Sequence, residues 1–319
     1  MEKGERKMNN SKFLVGPAPH RTSSFTSNSL MYVMLVALFP TAVSGVIHFG
    51  MKALFIMLIS IGSSYIFEIL FKLANRDKIN WFDFSSMVSG FITALILPVS
   101  VPYYVPVIAS FISIVVFKLF FGGLGKNFIN PAAGARVVLT FMFSGLVLSW
   151  FTGGKMDANA LSPLSYYMQG DYASITLRSL FFGSAPGAIG TASIFCIAIA
   201  GILLMIFKVT DYVMPVSALI SFIATVWIGK GSVAIVPYLF TGSFLFVTMF
   251  MLVDPVTSPR NIYAKCIYAL LFGLFAGLFR IYFVLGESSV FLALVLVNLL
   301  TPVLDMIFVP RPLGVRRYE

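Results

Sequence analysis

The sequence predicts an all-α polytopic membrane protein with about ten transmembrane helices, arranged as two inverted five-helix repeats. Hydrophobic residues make up 59% of the 319 residues and charged residues only 11%, whereas a soluble domain carries about 25% charged residues. The apolar residues lie in long continuous runs, which are typical of membrane helices and not of the alternating pattern of a membrane β-barrel. A polar middle stretch divides these runs into two sets of five.

The apolar runs give the predicted helices in chain order. A membrane span needs about 20 apolar residues and somewhat fewer where a helix is short or broken. Ten runs qualify: 30–49, 53–71, 84–98, 104–121, 135–151, 190–207, 213–228, 233–252, 264–283 and 288–304. They divide the chain into five regions: a cytoplasmic N-terminal segment (1–29), a first half (30–151), an outer-face loop (152–189), a second half (190–304) and a cytoplasmic tail (305–319).

The basic residues predict the orientation. With a cytoplasmic N-terminus, only five of the 22 Lys and Arg residues fall on the outer side, and cytoplasmic loops of membrane proteins are enriched in such residues. These five are Lys52, Lys155, Arg178, Lys230 and Arg280. Both termini are therefore predicted to be cytoplasmic, in the cell membrane. The net charge of +10 is explained by these loops, so the lipid bilayer and not nucleic acid is the predicted partner. Residues 1–29 lack an apolar core with a cleavage site, so no cleaved signal peptide is expected.

Two similar proline motifs suggest the inverted repeat. The third run ends in Pro98-Val-Ser-Val-Pro102 and the eighth in Pro255-Val-Thr-Ser-Pro259. They occupy equivalent places in the two halves and lie on opposite faces, although two proline-rich helix ends also resemble each other by chance. Prolines break helices, and broken backbone inside a membrane survives only where protein or a cavity satisfies it. Ser100, Asp254 and Thr257 are therefore candidates for an ion pathway.

A glycine-rich cytoplasmic loop at 120–136 is the second unusual stretch. Its glycines permit tight turns and close approach to a ligand. Pro131 can begin a helix, whose free N–H groups attract anions such as a nucleotide phosphate. The alternative is a tight turn between packed helices. The loop lacks the Lys-Ser/Thr ending of a P-loop, so nucleotide hydrolysis is not predicted. The candidate cofactor-binding residues are Gly122, Gly123, Gly125, Asn127, Asn130 and Arg136.

Few ionisable residues lie near the predicted spans. Glu68, Asp83, Asp254 and Arg280 are close to helix ends, where a charge is either functional or reaches the membrane interface by extending its side chain. The two cysteines and two histidines show no metal-ligand spacing, so no metal site and no independent catalytic residue are predicted.

Five motifs in order identify a family that the chain resembles. They are Pro19-His20-Arg21, FGGLGKNFINPA at 121–132, GSAPGAIG at 183–190, DPVTSP at 254–259 and VPRPLG at 309–314. Over about residues 13–315 the chain resembles the D subunit of the Rnf complex, an ion-translocating ferredoxin:NAD oxidoreductase. It is similar, more distantly, to the B subunit of the sodium-translocating NADH:quinone reductase.

The resemblance implies a fold similar to urea transporters and membership of a six-subunit membrane complex. It also implies a flavin mononucleotide (FMN) joined through its phosphate to a threonine of an outer-face loop. The family pattern there is Asp, then Ser/Thr-Gly-Ala-Thr-Pro-Leu, and the matching place here is 157–164, where Ser162 replaces the threonine. Three alternatives stay open: covalent FMN on Ser162, flavin held without a bond, or no flavin. Thr176 is a fallback acceptor, and riboflavin is a further candidate cofactor.

The predicted function is a membrane subunit of a redox-driven translocase. It carries electrons through FMN between partner subunits and couples this to Na+ or H+ transport. Two rivals stay open: a transporter or channel for small solutes, which suits the same five-plus-five layout, and a flavin-free structural subunit that only docks its neighbours.

Overall fold

The computed structural model describes residues 27–309 except 78–80, 82, 153–154, 158–162, 170–175, 184, 208 and 283–285. The α-helices in this part of the chain are α1 (Ser27–Phe49), α2 (Met51–Ala74), α3 (Ser85–Leu95), α4 (Tyr104–Phe111), α5 (Pro131–Met142), α6 (Ser144–Val147), α7 (Pro163–Met168), α8 (Leu177–Phe182), α9 (Ile194–Ile206), α10 (Val213–Lys230), α11 (Ile235–Phe240), α12 (Phe244–Phe246), α13 (Ile262–Tyr282) and α14 (Ser289–Ile307). Two π-helical segments, Ile112–Leu119 and Val247–Met251, continue α4 and α12, and short 3-10 turns cover Ile189–Thr191, Ser232–Ala234 and Gly286–Ser288.

The helices confirm a multi-pass membrane protein. Among the described residues, α1, α2, α10, α13, and α14 with its preceding turn are long and apolar enough to cross a bilayer. The segments Ser232–Phe240 and Phe244–Met251 qualify together as a sixth, bent by 68° at the break between them. Four shorter apolar helices complete the set: Ser85–Leu95, Tyr104–Leu119, Pro131–Met142 and Ile194–Ile206. Each of the ten predicted runs overlaps one of these segments, while the count of ten crossings stays a prediction.

The middle stretch departs from the all-α prediction. Strands β1 (Trp150–Thr152) and β2 (Lys155–Asp157) pair antiparallel, with Phe151 opposite Met156. The fifth helix also ends earlier than the predicted run 135–151, because the backbone of Phe143 leaves the helical region at φ −134° and ψ 44°. It begins earlier as well, at Pro131, where a proline's missing N–H and fixed φ suit the first helical position.

Small residues let several helix pairs approach closely. The backbone of α10 passes beside Gly273 of α13, and Ser221 of α10 donates a hydrogen bond of 2.7 Å to the Leu270 carbonyl. Gly90 of α3 lies similarly against α2, where the Ser60 hydroxyl donates to its carbonyl at 2.7 Å. Such contacts are common between membrane helices, because water supplies no hydrophobic driving force there and close packing replaces it.

The two halves contact each other through helices that hold the same place in the chain order of each half. Helix α1, the first of its half, packs against α9, the first of the second half. Helix α5 packs against α14, and these are the last long helices of the two halves. Within each half the second and fourth segments also pack together, as α2 with α4 and as α10 with α13.

Replacing Gly273 by alanine is expected to destabilise the fold by about 1–3 kcal/mol, because an added methyl group overpacks the α10–α13 contact. Its Cβ would lie 2.3 Å from the Ala218 carbonyl oxygen and 2.9 Å from the Phe222 nitrogen, and neither backbone atom can move independently of its helix. The measurement is the thermal unfolding midpoint in detergent. Gly62→Ala is the matched control, since nothing lies within 4 Å of its added Cβ and alanine favours a helix over glycine by up to about 1 kcal/mol. Equal destabilisation by both changes would contradict the packing argument.

Candidate functional site

The candidate site is a cavity of about 100 Å³ where both halves of the chain meet. The beginnings of α1 and α3, the glycine-rich loop and the segment after Val247–Met251 form its walls. Most of the lining is apolar, and a few polar side chains converge on it: Ser85, Lys118, Asn127, Asn130 and Asp254. Mostly apolar walls with a few placed polar groups are typical of small-molecule sites.

The glycine-rich loop forms the tight turns predicted for it. Gly122, Gly123 and Gly125 have φ angles of 104°, 87° and 85°, a left-handed conformation that side chains rarely adopt. These three glycines do not line the cavity, whereas Asn127, which follows them, does. The Asn127 amide also donates to the Ile129 carbonyl at 3.4 Å. The glycines therefore shape the loop that brings Asn127 and Asn130 to the cavity.

Asn130 joins the two halves. Its side-chain oxygen caps α5 by accepting a hydrogen bond from the Ala133 N–H at 3.3 Å. Its side-chain nitrogen lies 3.5 Å from both the Met251 carbonyl oxygen and Asp254 Oδ2. An Asn at this position satisfies one free N–H of the helix, and here its amide also contacts a segment 124 positions further along the chain.

Asp254 accepts hydrogen bonds from residues of the proline-rich break that follows the eighth predicted helix. Its carboxylate accepts hydrogen bonds from the Val256 N–H at 3.1 Å and the Thr257 hydroxyl at 3.4 Å. The Thr257 carbonyl in turn accepts from the Thr301 hydroxyl of α14 at 2.9 Å. Because this carboxyl group already contacts the Asn130 side chain at the beginning of α5, a phosphate there would meet a second acidic group.

A buried ion-pair network forms one side of the cavity. The ammonium group of Lys118 lies 3.2 Å from Glu68 Oε2 and donates to the Ser85 hydroxyl at 2.7 Å. Only 3% of the Lys118 side chain is exposed. Lys72, one helical turn after Glu68, pairs with the other Glu68 oxygen. Glu68 is thus held inside the protein by two lysines.

Asp83 connects this network to the beginning of α3. Its carboxylate accepts from the Ser85 hydroxyl at 2.6 Å and lies 3.5 Å from Lys72 Nζ. Burial raises the pKa of Asp83, but the Ser85 hydrogen bonds and the charges of Lys118 and Lys72 outweigh it, so the pKa lies below its ordinary value. This carboxylate is therefore ionised at neutral pH and holds the two lysines in place.

Ser100 lies at the break of the first half and does not line this cavity. Its hydroxyl donates to the Ser149 carbonyl at 2.7 Å, and its own carbonyl accepts from Lys52 at 3.2 Å. Ser149 lies near the end of the fifth predicted run, just as Thr301 lies near the end of the tenth. Both proline-rich breaks are thus hydrogen-bonded to the last segment of their own half.

Arg136 and Arg280 are placed differently from the expectation. Arg136 points away from the cavity and donates to the Val147 carbonyl at 3.2 Å. Arg280 is fully buried, and its guanidinium group donates to the Tyr238 carbonyl inside the protein. Both belong to a second polar cluster with Glu287.

The predicted flavin acceptors lie in the loop at 152–189. Ser162 is outside the described residues. The two residues after it, Pro163 and Leu164, begin α7 and are buried. Thr176 is exposed and caps α8, its hydroxyl accepting from the Ser179 N–H at 3.3 Å.

Lys118 and Glu287 are charged residues that the sequence analysis did not single out. Lys118 lies within the apolar run 104–121, and Glu287 immediately precedes the run 288–304. A charged residue inside an apolar run is itself a signal, because charges at membrane depth are rare and usually functional. That signal was available for Lys118.

The sequence model of the NQR2, RnfD, RnfE family matches residues 14–314. The chain belongs to this family. The motifs that carried the resemblance, at 121–132, 183–190 and 254–259, thus lie within a family match that spans nearly the whole chain. Two of these motifs, the glycine-rich loop and the DPVTSP segment, contribute lining residues to the candidate cavity.

Three named relatives are similar to this chain over most or nearly all of their own length. The D subunit of the proton-translocating ferredoxin:NAD(+) oxidoreductase complex of Clostridium ljungdahlii is 27% identical over 96% of this chain and 97% of its own length. The D subunit of the Na(+)-translocating complex of Acetobacterium woodii is 28% identical over 98% of both chains. The D subunit of an ion-translocating oxidoreductase complex of Rhodobacter capsulatus is 29% identical over 79% of this chain and 81% of its own.

Proposed function

We propose that this chain is the D-type membrane subunit of an Rnf-type ferredoxin:NAD oxidoreductase complex. In this role it carries electrons through a flavin and couples their transfer to movement of Na+ or H+. The observation that carries the proposal is similarity along most of the chain to the D subunits of three ion-translocating complexes. It acts together with the other subunits of a six-subunit complex in the cell membrane and has no independent active site.

The proposed topology has ten crossings in two inverted halves, with both termini cytoplasmic and the loop at 152–189 outside. Three observations support it: the distribution of basic residues, the pairing of α1 with α9 and of α5 with α14, and the hydrogen bond that joins each break to the last segment of its own half. Inverted repeats with broken helices are typical of transporters, whose ion sites lie where the repeats meet. Asp254 and Thr257, and Ser100 in the other half, are the proposed ion pathway residues.

The proposed outer flavin is FMN joined to Ser162. A serine hydroxyl can form the same phosphoester as the threonine of the family pattern, and Ser162 precedes the buried beginning of α7. Thr176 is the weaker acceptor, because its hydroxyl is already engaged in capping α8. Bound there, the flavin supplies the electron transfer, and the protein supplies position and electrostatics.

For the cavity, a flavin without a phosphate is the better fit. The walls are mostly apolar, as a flat ring system requires, and Asn127 lies among their polar residues, but the cavity of about 100 Å³ must widen to hold a whole flavin. A phosphate fits poorly, since it would lie beside the acidic group of Asp254, and Lys118, the cation of the lining, is engaged with Glu68 and Ser85. Riboflavin is therefore proposed here, and Gly122, Gly123 and Gly125 contribute only by shaping the loop.

The intact mass of the purified subunit tests the covalent flavin. We expect the mass to exceed that of the chain by one FMN, and the denatured band to fluoresce. Ser162→Ala is expected to lose both signals and the electron transfer of the complex, whereas Ser162→Thr and Thr176→Ala retain them. A wild-type mass without FMN would contradict the covalent bond, and acid extraction would then decide between a loosely held flavin and none.

The Ser162→Ala variant and an uptake assay test the two rival functions. A structural subunit would keep electron transfer in the complex carrying Ser162→Ala. A solute transporter would take up small polar solutes into liposomes as an isolated chain without flavin, which we do not expect.

A further inference from the structure

A second cluster of charged side chains lies between the two halves, away from the candidate cavity. It consists of Arg136 in α5, Arg280 near the end of α13 and Glu287 in the turn before α14. Their exposed fractions are 1%, 0% and 1%. Three ionisable groups without access to solvent are expensive in any protein and more so in a membrane, so their polar atoms require partners.

The three side chains are only partly satisfied by the described protein. Arg136 uses one nitrogen on the Val147 carbonyl, which leaves Nε and Nη1 without a partner. Arg280 uses one nitrogen on the Tyr238 carbonyl, which leaves Nε and Nη2. Neither oxygen of Glu287 accepts a hydrogen bond. Each of these six atoms is buried.

The charges are close to one another without being in contact. Of the ion pairs within 4.0 Å among the described residues, none includes any member of this cluster. A Cβ added at Gly242 would lie 3.0 Å from the Glu287 carboxyl carbon and 3.1 Å from Arg280 Nη2, so these two atoms are at most about 6 Å apart. One bridging water spans roughly that separation, because it makes two hydrogen bonds of about 2.8 Å.

The break between α11 and α12 adjoins this gap. Gly242 adopts a φ of +60° there, and the buried hydroxyl of the preceding Thr241 has no partner among the described residues. Each arginine also lies near an aromatic ring. The Arg280 guanidinium carbon is 5.7 Å from the Phe222 ring centre, and the Arg136 guanidinium carbon is 5.8 Å from the Phe291 ring centre. Rings can stabilise a cation but cannot satisfy its N–H groups.

We propose that Arg136, Arg280 and Glu287 enclose a buried water site, in which bound waters join the Glu287 carboxylate to both guanidinium groups and exchange a proton with it. The orphaned atoms are complementary, since the arginines offer donors and Glu287 offers acceptors. A buried water needs two to four polar partners, and this gap supplies that number. The site connects α5 of the first half to α13 and α14 of the second.

Other occupants fit the donors and acceptors less well. A sodium ion would face two guanidinium groups and find only one carboxylate. A small anion would satisfy the arginines but leave both Glu287 oxygens unpaired and repelled. Of these three occupants, water alone both donates and accepts, and so can satisfy all three side chains.

Proton exchange at this site involves Glu287 and the groups that face it. Glu287 takes up one proton from a bound water, which regains one from the water beyond it, and the reverse steps return the proton; one O–H bond forms for each one that breaks. The titratable or charged residues on the elements packed against the Glu287 turn are Arg136 on α5, Tyr166 and Tyr167 on α7, and Asp305 at the far end of α14. Arg280 on α13 adds the second positive charge. The proposal does not depend on the flavin.

Infrared difference spectra of the purified chain between acidic and alkaline pH test the proposal. We expect a protonated-carboxyl band that is shifted by D2O, absent in Glu287→Gln and unchanged in Asp211→Asn. Asp211 is the matched control, because its side chain is 55% exposed and pairs with Lys265 at the surface. A band that Glu287→Gln does not alter, or that D2O does not shift, would overturn the proposal.

High-resolution density of the wild-type chain supplies a measurement that needs no variant. We expect a water peak within hydrogen-bond distance of Glu287 and of one of the two arginines. Direct contact between the carboxylate and the guanidinium groups, or an anomalous peak at this place in crystals grown with bromide, would each refute the water site. Loss of covalent flavin from the same sample would count against the proposed function alone.

Discussion

Replacing Glu68 by glutamine is expected to lower the free energy of unfolding by about 3–5 kcal/mol, the range for removing one partner of a buried ion pair. The change leaves the Lys118 ammonium inside the protein with the Ser85 hydroxyl at 2.7 Å and no carboxylate in contact. It also removes the Lys72 contact. A charge with so little access to water cannot recover its hydration, so the folded state alone is penalised. Unfolding in mixed detergent micelles measures the effect.

Two controls define what this result means. The double variant Glu68→Gln with Lys118→Met removes both charges and is expected to recover most of the loss, because no unpaired ion is then left inside. Asp211→Asn breaks the exposed pair with Lys265 and is expected to change stability by at most about 1 kcal/mol. If Glu68→Gln were no worse than Asp211→Asn, the network would not be a stabilising element of the fold.

Replacing Asp254 by asparagine is expected to abolish ion transport coupled to electron transfer while leaving the fold intact. An asparagine oxygen can still accept the hydrogen bond from the Val256 N–H, so the turn at the break is retained. The negative charge facing the cavity is lost, and a cation then has no carboxylate to bind at the junction of the halves. Ion uptake by proteoliposomes containing the complex measures transport.

The alanine variant separates charge from structure at the same position. Asp254→Ala leaves the Val256 N–H and the Thr257 hydroxyl without their acceptor, which is expected to cost about 1–3 kcal/mol of stability. Asp254→Asn should unfold close to the wild-type temperature. Transport by the asparagine variant at the wild-type rate would remove Asp254 from the proposed ion pathway.

Part of the site could be predicted from the chain because its signals are local. The glycines at 122, 123 and 125 predicted a tight turn, and each has the left-handed backbone that requires glycine. Asn130 and Pro131 form a cap and a first helical position, and α5 begins there. These features depend on residues a few positions apart, whose preferences are fixed by sterics and local hydrogen bonds.

The remaining features depend on contacts between distant segments. Glu68 and Lys118 are 50 positions apart, and the separate apolar runs that contain them, 53–71 and 104–121, do not show that the two side chains meet. Arg136 ends the glycine-rich loop predicted at 120–136. It lies roughly one and a half helical turns after the beginning of α5, so its side chain belongs to a different cluster. No local pattern reveals which of two helix faces a side chain occupies when both faces are apolar.

By itself the sequence determined the class of protein, the apolar segments and the loop turns, because hydropathy and backbone preference act over one helix length or less. It also carried the motifs of the family. Tertiary structure alone decided that Asn130 meets Asp254, that Lys118 is buried on Glu68, and that Arg136, Arg280 and Glu287 share a gap. The physical reason is that burial and pairing of charges arise from packing between segments, and a linear pattern contains no distances.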